Sequence, residues 1–238
     1  MGAVDVAHVP WSDFYPRFAR SWKQGEHVAL VGPTGQGKTT LALAILPIRT
    51  YTVILATKPA DATLAHLRHH GWVIVDRWRR RGDENRLVLW PKSRGLHDSA
   101  RQAKVLDQGL DAMYRATGWT ILVDDTQYLA SIGLRHTLST LWINARSNKV
   151  TIVGGSQRPV WVPREMWSQS SHLFIFGTTD RDDLKALSGF GARLDAQLVR
   201  EVVGTLDPDT HECAYIDVRR GLILVTKAPP PPSRRKAA

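Results

Sequence analysis

Three groups of residues have the types and spacing for phosphoryl chemistry. The first is Gly32-Pro33-Thr34-Gly35-Gln36-Gly37-Lys38-Thr39, with Thr40 behind it. It fits G-x-x-x-x-G-K-[ST] between an apolar run, Val28 to Val31, and a helix-like run from Thr40 to Leu46. Glycines at 32, 35 and 37 permit backbone conformations that a Cβ forbids, so successive N–H groups can turn inward around a phosphate. The following helix presents its positive end to the same phosphate. Lys38 is placed to reach the β- and γ-phosphates of ATP, and the Thr39 hydroxyl to take a Mg²⁺ position. A chance match in a glycine-rich turn is the alternative, and the agreement of strand, loop and helix argues against it.

The second group is Asp124-Asp125, which ends the apolar run Thr120 to Val123. In a parallel sheet such a pair lies at the carboxyl edge, beside the phosphate loop, where open α/β sheets bind ligands. Asp124 then holds Mg²⁺ directly or through water, and Asp125 orients or deprotonates an attacking water. Paired acids also occur as plain helix caps. The third group is Ser156-Gln157-Arg158-Pro159, after the strand-like run Val150 to Gly155. An amide at that position can hydrogen-bond the γ-phosphate and its water, whereas the ordinary reading of Gln157 is a turn residue.

The elements that must position these groups read as alternating strands and helices. Ser12 or Asp13 is the expected cap of a first helix carrying Phe14, Phe18 and Trp22, aromatics that pack on the body of the domain or contact a base or partner. Strands are expected at His27 to Val31, Tyr51 to Ala56 and Trp72 to Val75, the last two as buried runs. Helices are expected over Asp61 to His70, His97 to Ala116 (ended by Gly118) and Leu134 to Ser147. Beyond Gln157 come a short helix within Pro163 to Ser170, a strand His172 to Phe176 and helices Asp180 to Leu187 and Asp195 to Val203. A hairpin follows, His211 to Val218 against Leu222 to Lys227 across Arg219-Arg220-Gly221. Lys58, after the second strand, is either near phosphate or DNA or simply solvated. The histidines at 66, 69 and 70 read as an exposed helix face rather than a metal site. Arg77-Trp78-Arg79-Arg80-Arg81-Gly82, with a short strand Arg86 to Trp90 and then Lys92 and Arg94, is either a phosphate-backbone contact surface or a solvated hairpin.

These elements predict an α/β protein with a mostly parallel sheet, helices on both faces and a C-terminal β-hairpin. Residues 1 to 228 form one expected domain without internal repeats, and 229 to 238, with Pro229 to Pro232 and Ser233-Arg234-Arg235-Lys236, an expected disordered tail. The chain has 238 residues and a net charge of +10. That charge suits a polyanionic partner such as nucleic acid, and also a solubilising surface or an acidic protein. The single Cys213 allows no internal disulfide, and no apolar run approaches membrane-spanning length, so a soluble, cytosolic protein is expected.

In the order GPTGQGKT (32 to 39), ILVDD (121 to 125), AR (145 to 146), IVGGSQRP (152 to 159) and HLFIFGTTDRDDLKAL (172 to 187), the chain resembles the FtsK/HerA superfamily of P-loop ATPases over roughly residues 28 to 190. The resemblance implies a RecA-like core assembled as a ring, usually a hexamer, that uses ATP and Mg²⁺ to move double-stranded DNA or, in some members, to serve secretion. It further implies that Arg146 faces the adjoining protomer and completes its site, against the ordinary reading of a cation at a helix C-terminus. Many members carry Asp-Glu where this chain has Asp124-Asp125. Without the membrane segments, winged-helix domain or insertions of larger relatives, the chain looks like the packaging ATPases of membrane-containing phages and related viruses. A portal or membrane-anchored partner, and a place in host cytoplasm or virion, would follow. A conjugation, secretion or morphogenesis ATPase with protein cargo is the alternative. A small-molecule kinase is a third reading, for which no closing lid is evident.

Overall fold

The computed structural model describes residues 6–79, 84–178, 180–187 and 194–229. Among them nine strands form one sheet: β1 (His27–Val31), β2 (Thr52–Leu55), β3 (Val73–Val75), β4 (Arg86–Leu89), β5 (Thr120–Val123), β6 (Thr151–Ser156), β7 (Ser170–Phe176), β8 (Glu212–Asp217) and β9 (Leu222–Lys227). Their spatial order is β3-β4-β2-β5-β6-β1-β7-β8-β9. All pairs from β3 to β7 are parallel, and β8 and β9 continue antiparallel as the expected hairpin. Residues 7 to 9 extend the sheet by one bridge, His8 to Val225.

The central strands are buried on both faces, and alternation decides which helix each residue meets. Val28, Leu30, Ile54, Leu122 and Val153 share one core with α1 (Trp11–Ser21) and α2 (Lys38–Ile45). Ala29, Val31, Val53, Ile121 and Ile152 share the other with α4 (Ser99–Ala116), α6 (Arg135–Asn144) and α9 (Ala196–Thr205). Shorter helices are α3 (Ala62–His66), α5 (Thr126–Leu129), α7 (Glu165–Ser168) and α8 (Arg181–Ala186). The far end of the C-terminal hairpin is tied to the start of β1 by Glu26, which meets Arg219 at 2.5 Å and His172 at 3.4 Å. Burial pushes the Glu26 carboxyl up, but hydrogen bonds from His172, the Lys23 N–H and Arg219 outweigh that and bring it to about 2.

Several local expectations change. Helix α1 starts after Pro10 with no side-chain cap, so neither Ser12 nor Asp13 fills that role, although its aromatics Phe14 and Phe18, with Trp22, do pack in the core as the first of their two readings had it. Strand β3 is an edge strand with Val73 exposed, not a buried one, because only β4 covers its side. β3 and β4 are parallel, so the arginine-rich connection is a crossover and not a hairpin. Trp78 turns inward against Trp119, ring centroids 5.6 Å apart, while Arg77 and Arg79 stay exposed near Asp76; Arg80, Arg81 and Gly82 lie outside the described residues, as do Pro230 onward. The expected helix from Leu134 begins at Arg135, since Gly133 adopts φ 102° and breaks the chain there, and it ends at Asn144, leaving Arg146 beyond it.

Candidate nucleotide site

Because β1, β2, β5 and β6 are parallel, the residues that follow each of them emerge at one edge of the sheet. β6 lies between β1 and β5, so the acid pair is one strand further from the phosphate loop than immediate adjacency. Gly155 closes that gap, for a Cβ there would stand 2.5 Å from the Asp124 carbonyl oxygen. The result is a cavity of about 350 Å³ lined by Thr34, Gly35, Gly37, Lys38, Thr39 and Thr40 from the loop, Asp124 and Asp125 after β5, and Gln157 after β6.

The loop is anchored from both sides. The Gly32 N–H donates to the Ser156 carbonyl at 3.1 Å, and the Gln36 side-chain amide donates to the Gly177 carbonyl at 2.9 Å. Gln36 thus serves the loop's shape, and Pro33 and Gln36 line a neighbouring cavity instead. Lys38 Nζ donates to the Gly32 and Pro33 carbonyls at 2.5 and 2.7 Å. Burial lowers the Lys38 ammonium to about 8, against the pull of Asp124 and Asp125 and with the repulsion of Lys58. It is therefore still charged near neutrality while being poorly solvated, the state in which an anion is attracted most strongly.

The Thr39 hydroxyl donates to Asp124 Oδ1 at 2.8 Å. Burial pushes the Asp124 carboxyl up, opposed by that hydrogen bond and by Lys58 and Lys38. A half-buried carboxylate beside a hydroxyl fits Mg²⁺: both oxygens can ligate a hard cation, which favours the ionised form that burial disfavours. Asp125 accepts from the Tyr128 N–H at 2.9 Å and caps α5, so it is a helix cap and a cavity residue at once. Arg158 is held by Asp180 at 2.8 Å and Asp183 at 3.2 Å and lies 5.0 Å from the Trp161 ring centroid. Arg146 is exposed beside Gly25, at the amino edge of the sheet, away from the site of its own chain.

Four further residues line the cavity: Lys58 after β2, for which a place near phosphate was one of two readings, and His211, Ala228 and Pro229 at the ends of the hairpin, which were not read as site residues in the sequence. Lys58 carried a positional signal, since it directly follows a parallel strand. The other three carried none, because a hairpin gives no indication of which sheet edge it joins.

The phosphate loop after β1, the acid pair after β5 and the amide after β6, in a sheet of this order, give the chain the fold of a P-loop NTPase with an added antiparallel hairpin. By structure it is similar to the genome packaging NTPase B204 from Sulfolobus turreted icosahedral virus 2. The B204 complex with ATP-γ-S superposes with a TM-score of 0.62 at 13% identity, covering 88% of this chain and 100% of that one. B204 described as the DNA-packaging ATPase from Sulfolobus turreted icosahedral virus gives the same values, TM-score 0.62, 13%, 88% and 100%. Thermomonospora curvata EccC (ATPases 2 and 3), in complex with a signal sequence peptide, aligns with a TM-score of 0.53 at 16% identity over 90% of this chain and 40% of that one. No protein-family model and no curated protein matches the chain in sequence. No helix among the described residues is long and apolar enough to cross a membrane.

Proposed function

We propose that this chain hydrolyses ATP to translocate double-stranded DNA, as a genome-packaging motor does, working as a homo-oligomeric ring of hexamer type. The observation that carries the reading is the convergence of Lys38, Thr39, Asp124, Asp125 and Gln157 on one cavity. Lys38 neutralises the β- and γ-phosphates, and Thr39 and Asp124 would hold Mg²⁺, which when bound supplies charge neutralisation at the phosphates. Gln157 hydrogen-bonds the γ-phosphate and the attacking water. That water's oxygen forms the new bond to the γ-phosphorus as the β–γ bridging P–O bond breaks. Asp125 takes the water's proton, and the products are ADP and phosphate. Asp125→Asn keeps the acceptor that caps α5, so fold and ATP affinity should persist while turnover falls by about 10²-fold or more. Single-turnover hydrolysis and ATP binding on one preparation check this, and turnover within a few-fold of wild type would mean that another residue is the base.

DNA as cargo is supported by the net charge of +10 and by the likeness to B204. Protein as cargo is the second reading, favoured by the likeness to EccC. Recruitment by a portal or membrane-anchored protein belongs to the first reading. The discriminating experiment is ATPase activity with and without duplex DNA. Stimulation by DNA of any sequence is expected, with the logarithm of the apparent DNA affinity falling linearly with the logarithm of salt concentration, because cations that contact phosphates release counterions. Neutralising Arg79 together with Arg80 and Arg81 should make that salt slope shallower by up to about 3. A slope equal to that of wild type would return the cluster to a solvated surface and make Arg234, Arg235 and Lys236 the next group to neutralise.

A further inference from the structure

The cavity is lined by two chemically different sets of residues. Lys38, Lys58, Asp124, Asp125 and Gln157 supply charge and amide groups. The second set is the two ends of the C-terminal hairpin, which approach Gly37. A Cβ at Gly37 would stand 3.1 Å from Ala228 Cβ and 3.7 Å from His211 Cβ. This contact follows from strand direction: β8 is antiparallel to β7 and β9 to β8, so His211 enters the hairpin, and Ala228 leaves it, at the edge that carries the phosphate loop. The Ala228 N–H donates to the His211 carbonyl at 2.9 Å and joins the two chain ends into one unit. His211 adopts φ 59° although it is not glycine, and its exposed ring makes no hydrogen bond with the other described residues. That left-handed backbone caps the short turn Pro208–Thr210, the His211 N–H donating to the Pro208 carbonyl at 3.3 Å, and so holds His211 in place at the cavity.

We infer that His211, with Ala228 and Pro229, seats the purine base of the nucleotide, so that the hairpin and not the phosphate loop alone sets base preference. The inference rests on the nucleotide reading above and adds the half of the ligand that the loop motif does not address. A nucleoside triphosphate is polyanionic at one end and a flat aromatic ring at the other. Of the residues that line this cavity, His211 carries the one aromatic ring, and Ala228 and Pro229 are the apolar residues that the hairpin's other end adds. The triphosphate is claimed by Lys38 and the phosphate loop, which leaves the ring for His211 and its apolar neighbours. Stacking on an aromatic side chain is tolerant of base identity, so any preference between ATP and GTP should be modest.

The test compares binding of ATP and of inorganic tripolyphosphate to the full chain by titration calorimetry. His211→Asn removes the ring while keeping a residue that tolerates the left-handed backbone, and His211→Phe keeps a ring. In His211→Asn, ATP affinity should fall about tenfold, a loss of the size expected for one base–ring stack, with tripolyphosphate affinity within about twofold of wild type. His211→Phe should bind ATP within about threefold of wild type. Unchanged ATP affinity in folded His211→Asn, or equal weakening of both ligands, would overturn the seat. Wild-type protein that binds neither ligand would overturn the nucleotide reading itself and the seat with it, an outcome distinct from loss of the base alone.

Discussion

Lys38→Ala should lower kcat/KM for ATP by about 10⁴-fold or more while leaving the fold intact. The transition-state share, about 10² to 10³, is the cost of removing one preorganised charge from a site of developing negative charge, and the lost ground-state attraction to the phosphates multiplies it. Stability should be unchanged or higher. The Lys38 ammonium is lowered to about 8 chiefly by burial, so folding holds that charge against its preference for water, and the side chain belongs to neither apolar core. Melting temperature and steady-state turnover, measured on the same preparation, check both halves. A well-folded variant with wild-type hydrolysis would remove the motor reading.

Arg146→Ala should also abolish turnover, and mixing it with Lys38→Ala protein should restore part of it. Arg146 lies beside Gly25, before β1, whereas the phosphate loop follows β1, a strand of five residues. About 16 Å of strand therefore separates Arg146 from its own site, too far for contact with a phosphoryl group there. Action on a nucleotide requires a second copy that presents its carboxyl edge, and such a head-to-tail contact is the heterologous kind that closes into rings. An arginine supplied by a neighbour is worth about 10³ to 10⁵ in rate. Random co-assembly pairs an intact Lys38 site with an intact Arg146 at about a quarter of interfaces, which sets the recovery expected. If subunit exchange shows mixed rings and no activity returns, Arg146 is an ordinary cation past a helix end. Arg158 or Arg164 would then be the better candidate, Arg158 only after release from Asp180 and Asp183.

What the sequence determined by itself was the half of the site that local pattern and parallel topology control. Gly32 to Thr39 is one contiguous motif, and Asp124, Asp125 and Gln157 each follow an apolar run. In a parallel sheet every such run delivers its next residues to the same edge, whatever the order of strands. Tertiary structure alone decided what depends on strand order and direction. Periodicity marks β3 as apolar but does not say that it is the last strand, and it marks two hairpin strands without saying that they join β7 and return to the phosphate loop. Side chains with two possible partners were also decided there. Asp125 turned out to cap α5 and line the cavity together, Gln36 to brace the loop through Gly177, and Trp78 to leave the arginines for the core. These choices rest on contacts between residues far apart in the chain, such as Gly37 with His211 and Ala228, and no local spacing carries that information.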